Sequence, residues 1–261
     1  MISSQQEMMA YKEACALNNW GVSMLLRGDY EDATTTIKDA LSVLRLVLSP
    51  NNEHKSNLTN AVQRKAKKAV SRLSKLSKEA CGSSYLANII AIESNDFQQL
   101  RSASLPQASA IAKSSYHAVF IREQLSSDEE TNAERESGIM LYNYALSCFL
   151  LSSTCQTEDC PLNDENKSGI FSGIAHRSLQ LAHRTFTKRL MHMDDTSEDL
   201  ESVYFTTLVL QCSSKMFRVQ ENHIKANEAE CAMNDLVAAV EDEHLDYLTV
   251  LSTRDVCAAA A

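Results

Sequence analysis

Punctuation is scarce along this chain: 261 residues contain 6 glycines and 3 prolines. Sheets close through turns that need positive φ or a fixed φ, and those two residues supply most of both. A sandwich, a barrel or an α/β nucleotide-binding fold is therefore poorly served by this sequence, and helices are favoured. A composition 44% hydrophobic and 23% charged fits a globular core rather than wholesale disorder. A chain of this size buries enough surface to need no covalent staples. The longest apolar runs, such as Ala87–Ile92, are too short to span a bilayer. The first residues, MISSQQEMMAYKE, lack the basic-then-apolar order of a secretory signal. Eight cysteines without such a signal read as reduced thiols, so a cytoplasmic or nuclear location is expected.

Charge is unevenly spread. The formal net charge is −9, yet eight Lys/Arg and no acid lie between Lys55 and Lys78. Over the rest of the chain acids outnumber bases two to one, which argues against generic nucleic-acid binding. The cysteines form no CxxC pair, and Cys155 and Cys160 have no second pair at zinc-site spacing. Cys15, Cys148, Cys212 and Cys231 are expected to be buried as small hydrophobes. Cys257 sits one residue too early for a prenylation box.

Helical periodicity runs from about residue 4 to residue 49 with one break. Met8, Tyr11, Cys15, Asn18, Asn19, Gly21, Val22, Leu25 and Leu26 share the first stretch. Arg27-Gly28-Asp29-Tyr30 makes a short turn, with Gly28 suited to a left-handed helix stop and Asp29 to capping the next helix. Ala33, Ile37, Ala40, Leu41, Leu44 and Val47 follow on one face, up to Pro50. Two antiparallel helices joined by so few residues make an αα-hairpin. Residues 51–57 read as a linker. A third helix is expected over 58–80, with Val62, Ala66, Ala69, Leu73, Leu76 and Ala80 as its apolar stripe. Residues 84–125 are ambiguous: SYLANIIAI suits a short helix or a buried strand, and the β-branched, aromatic SYHAVFIREQ suits an extended segment. At Ser127, SDEE reads as a capping box for a helix to about Ser152. A polar loop occupies 154–168, and helices are expected at 169–192, 198–219 and 224–242. The domain plan is thus 1–50, a first hairpin; 51–126, a basic helix and irregular connection; and 127–261, further hairpins.

A recurring small-residue spacing organises these hairpins. Gly21 faces Ala33 across the turn, and Ala33, Ile37 and Ala40 follow at steps of four and three, so that two helices approach closely. Ala145, followed after the long loop by Ala175, Leu179 and Ala182, repeats the step. Ala229, Met233 and Leu236 repeat it loosely. The string LNNWGVSMLLRGDYEDATTTIKDAL resembles a tetratricopeptide repeat, through Leu17, Gly21, the Gly28-Asp29-Tyr30 turn, Ala33 and Ala40. Met24 departs from the aromatic that the family favours, and the proline ending the second helix is missing. The resemblance implies an all-α fold, with antiparallel helical hairpins stacked as a short right-handed solenoid around an irregular middle segment.

It also implies a concave face, built from the first helices, that binds peptides. The LNN string is similar to kinesin light-chain repeats, whose asparagines hold the backbone of an extended partner. Asn18, Asn19 and Asn143 then fall in the groove, with Val22, Leu25, Leu26, Tyr142, Leu146 and Phe149 as its apolar floor. An amide offers donor and acceptor to any main chain, whatever its side chains. The same apolar residues also suit an inter-repeat core, with the asparagines capping local backbone. A carboxylate clamp for chaperone tails needs a lysine one turn before an asparagine, where this chain has Asn18 and Val22. Replacing Asn19 and Asn143 by alanine is expected to weaken partner capture without lowering stability.

The expected function is a non-catalytic scaffold or adaptor that binds an extended segment of another protein. The alternative is a regulatory module that meets acidic partners or anionic membrane through the basic helix, with Arg64, Lys65, Lys67, Lys68, Arg72 and Lys75 as its patch. That face would otherwise pair with acids such as those of 128–136. A thiol-redox or metal role for Cys155 and Cys160 is the third reading. No HExxH, GxSxG or phosphate-cradling glycine loop occurs. His176 and His183 share a helix face with no acid at ligand spacing. No catalytic residue, metal or cofactor is assigned.

Overall fold

A computed structural model describes residues 5–48, 60–76, 89–92, 116–121, 133–155, 165–191 and 200–238. Among these are seven helices: α1 (Gln5–Leu25), α2 (Tyr30–Leu48), α3 (Asn60–Leu76), α4 (Ala133–Thr154), α5 (Glu165–Met191), α6 (Leu200–Val219) and α7 (His223–Ala238). Two short strands, β1 (Ile89–Ile92) and β2 (Tyr116–Val119), pair as a two-stranded sheet. The chain is mostly helical, and the ambiguous middle segment contributes the strands. The linker at 51–57, the capping box at Ser127 and most of the polar loop lie outside the described residues. The helix after the loop starts earlier than the periodicity suggested, at Glu165.

The chain divides into two compact units, residues 1–90 with 118–182 and residues 91–117 with 183–261. In the first, α1 packs along α2 on one side and α3 on another, and α4 packs against α2 and α1. Ala33, Ile37, Ala40 and Leu44 are all buried, because residues four, three and four apart share one face of a helix. Ala66 and Ala69 of α3 are fully buried, and Lys65 Nζ bonds Asp39 Oδ2 at 2.9 Å. The far end of α4 is tied to the start of α5 by a reciprocal pair. Ser152 Oγ donates to the Ser168 carbonyl at 3.0 Å, and Ser168 Oγ to the Ser152 carbonyl at 3.2 Å.

The α1–α2 turn shows how few residues set a hairpin. Gly28 has φ +80°, and its N–H donates to the Leu25 carbonyl at 3.1 Å while Asp29 N–H donates to that of Met24 at 3.0 Å. This is a Schellman stop, and it uses carbonyls that the helix end would otherwise leave unbonded. Asp29 takes the N-cap position of α2, although its carboxylate bonds Arg27 Nε at 3.1 Å. Two turns before Gly28, Gly21 lies where a Cβ would collide with Ile37 Cγ1 and stand 3.4 Å from the Ala33 carbonyl.

In the second unit, α6 and α7 close with the same stop. Glu221 N–H donates to the Arg218 carbonyl at 3.0 Å and Asn222 N–H to that of Phe217 at 2.8 Å. The left-handed residue is Glu221, φ 57°. Ala226 lies as far beyond Glu221 as Ala33 lies beyond Gly28, and both are fully buried. The turn therefore aligns Ala226, rather than Ala229, with Ala33, and corrects the loose third spacing by three residues. Ser214 takes the place of Gly21 and Glu230 that of Ile37. Their meeting is polar: Ser214 Oγ donates to Glu230 Oε1 at 2.7 Å, and Arg218 forks onto both carboxylate oxygens at 2.8 and 2.7 Å. Burial alone would raise the Glu230 carboxyl; the Arg218 and Ser214 bonds and the Arg218 charge outweigh it and hold it below the ordinary range. Phe186 and Phe205 stack at 5.3 Å beside Tyr204.

The crossing of α1 and α2 has a direct test. Gly21→Ala gains about 1 kcal/mol of helix propensity but overpacks a fully buried Ile37 by about 1–3 kcal/mol, so a lower unfolding midpoint is expected. Ile37→Ala removes the obstructing atoms. The double variant should therefore be less unstable in urea than the two single losses added together; strict additivity would show that the helices do not touch there.

Candidate functional site

The three asparagines converge. Asn18 and Asn19 come from the middle of α1, Asn143 from the middle of α4, and Asn18 and Asn143 are fully buried. Asn143 Nδ2 donates to Asn18 Oδ1 at 3.0 Å, and Asn18 Nδ2 donates to Asn19 Oδ1 at 3.2 Å. The chain of amides assigns donor and acceptor ends throughout, because each nitrogen must face an oxygen.

What the asparagines hold is this chain's own backbone. Asn143 Oδ1 accepts from Val119 N–H at 3.0 Å, and its Nδ2 donates to the Val119 carbonyl at 2.7 Å. Two residues on, Asn19 Oδ1 accepts from Ile121 N–H at 2.7 Å, and its Nδ2 donates to the Ile121 carbonyl at 2.6 Å. Asn18 Nδ2 adds a longer bond of 3.4 Å to the Val119 carbonyl. In an extended chain, alternate residues turn both N–H and C=O to the same edge. Two side-chain amides, spaced to match, therefore do what a neighbouring strand would do.

The rest of the expected groove is buried as well. Val22, Leu25 and Leu146 are fully buried, and Tyr142 and Phe149 nearly so; Leu26, offered with them, is exposed. The surface expected to stand open is filled at Asn19 and Asn143 by residues 119–121. The sequence signal for that occupant was the β-branched and aromatic content of SYHAVFIREQ, which marked an extended segment but not where it lies.

These contacts overturn one expectation. Alanine at Asn143 would leave the Val119 N–H and Asn18 Oδ1 buried without this partner, so stability cannot be indifferent to it. Cysteine burial needs one correction also: Cys15, Cys148, Cys155 and Cys212 are buried, but Cys231 is exposed. Burial pushes the Cys148 and Cys212 thiols up to about 12, which leaves them protonated and inert at neutral pH. Cys160 lies outside the described residues. Among those described, no group of three His, Cys, Asp or Glu could hold a metal ion, and no helix is long and apolar enough to cross a membrane. His176 accepts or donates a 3.0 Å bond with Gln180, while burial lowers the His183 imidazole.

On α3, Arg64, Lys67 and Lys68 are exposed, whereas Lys65 is engaged with Asp39. The side chains of Arg72 and Lys75 lie outside the described residues. Burial raises the Glu13 carboxyl against the pull of Lys67. Compared with models of protein families, with curated proteins and with solved structures, the chain matches none.

The clamp's worth to the fold can be measured. Asn143→Ala strands a buried donor and acceptors, each costing about 1–3 kcal/mol, and is expected to destabilise the chain by about 3 kcal/mol in urea unfolding. Asn143→Asp keeps the acceptor for Val119 N–H but sets oxygen against the Val119 carbonyl and Asn18 Oδ1, and should cost at least as much. A loss under 0.5 kcal/mol in both, the scale of an ordinary surface substitution, would show that the bonds contribute nothing.

Proposed function

We propose that this chain is a non-catalytic protein-interaction scaffold of tetratricopeptide-like hairpins, whose asparagines hold an extended polypeptide segment by its main chain. The observation that carries the reading is the pair of two-pronged bonds from Asn143 to Val119 and from Asn19 to Ile121. Main-chain holding is indifferent to most side chains, which suits an adaptor. It is also costly to build, since three amides must be buried and fully paired to be tolerated. Their alignment with alternate residues of an extended chain is the geometry by which peptides add to sheet edges, supplied here from two helices.

The test frees the clamp and offers it a ligand. In a chain carrying Val119→Pro and Ile121→Pro, neither residue has an N–H to give, while all three asparagines remain. A fluorescent peptide copying residues 115–124, SYHAVFIREQ, should bind this variant in an anisotropy titration. Adding Asn19→Ala and Asn143→Ala should weaken binding by at least about tenfold, the effect of losing one to two hydrogen bonds. Equal affinity with and without the asparagines would refute main-chain holding.

A further inference from the structure

We infer that a second polypeptide can replace residues 118–121 in the clamp, and that the ligand it takes is an extended segment of the pattern small–aliphatic–any–aliphatic, with no proline at either aliphatic position. This rests on the peptide-holding reading above and gives it a ligand class and a competitor. The template is the segment already seated. Each clamped residue gives an N–H as well as a carbonyl, and proline has no N–H. Val119 is fully buried and Ile121 nearly so; a charged side chain at either place would lose its hydration with nothing in return. Ala118 is also fully buried, so a larger side chain there overpacks its surroundings. Phe120, between the two clamped residues, is only half-buried and leaves its position open to other side chains.

Exchange must replace the pairing of β2, which contains Ala118 and Val119, with β1 as well as the side-chain bonds. The side-chain bonds that hold 119–121 join neutral amides to neutral main chain, and a trans segment of the same pattern offers the same groups. The resident segment has the advantage of attachment, which amounts to an effective concentration on the order of millimolar. A competing segment must therefore be supplied at that level, or carry further contacts of its own.

The experiment uses the full parent chain. Amide hydrogen exchange at Val119 and Ile121 is followed by mass spectrometry with and without millimolar SYHAVFIREQ peptide. Displacement frees those two N–H groups, so their exchange should accelerate by roughly tenfold or more, as for any locally opened segment. A peptide with lysine in place of Phe120 should act equally well. Peptides with proline in place of Ile121, or lysine in place of Val119, should leave exchange unchanged. Displacement by the proline peptide would overturn the assigned pattern. No acceleration by any peptide, alongside binding of the parent peptide by the Val119→Pro, Ile121→Pro chain, would overturn exchange while leaving peptide holding intact. Should that variant not fold, the parent-chain measurement still decides: no acceleration by the parent peptide refutes exchange. Absence of binding by the folded variant would remove the peptide-holding reading itself.

Discussion

Three buried amides set the terms for the first unit. A backbone running through a helical interior brings N–H and C=O groups that must be bonded, and no helix main chain has any to spare in its middle turns. Side chains have to supply them. Asn19 and Asn143 can do so only if α1 and α4 place the two amide groups one extended dipeptide apart, about 6.6–6.8 Å along the segment. Asn18 links the two amides and fixes which end of each is the donor. The positions of α1 and α4 and the course of residues 119–121 are thus one geometric problem, solved together.

Close approach of α1 and α2 is part of the same solution. Gly21 lets the helices cross where Ile37 projects, and α2 in turn packs against α4. The second unit reaches a similar crossing by different chemistry. There Ser214 and Glu230 meet through a hydrogen bond, and Arg218 completes the pair, with the arginine and glutamate side chains 39% and 36% exposed. Water reaches that crossing, which lowers the cost of charge; it does not reach Ile37, where only an apolar side chain is stable. The two turns differ likewise, glycine holding the left-handed position in one and glutamate in the other, the latter against a steric penalty of about 1 kcal/mol.

The character of the site follows from its atoms. Amides and aliphatic side chains carry no charge between them, and the buried thiols nearby in sequence, such as Cys148, are held protonated. Charge is concentrated instead on α3, where Arg64, Lys67 and Lys68 face solvent and Lys65 is paired. Ala66 and Ala69 of the same helix are fully buried, so α3 is amphipathic.

Much of this was legible residue by residue. The hairpin of α1 and α2, its Gly28 stop, the buried face of Ala33, Ile37 and Ala40, and the close crossing at Gly21 all follow from periods of three and four and from the conformational freedom of one glycine. Those are local properties, carried by neighbours in the chain. The extended nature of YHAVFI was equally local. Asn18, Asn19 and Asn143 could be singled out because their residue type suits main-chain holding. Only the tertiary structure decided what they hold, since Asn19 and Ile121 are 102 residues apart. An amide accepts any backbone offered in the right register, so no feature of its own sequence names the occupant. The Ser214–Glu230 register was hidden for a related reason: a glutamate in the left-handed turn position sends no signal as clear as glycine.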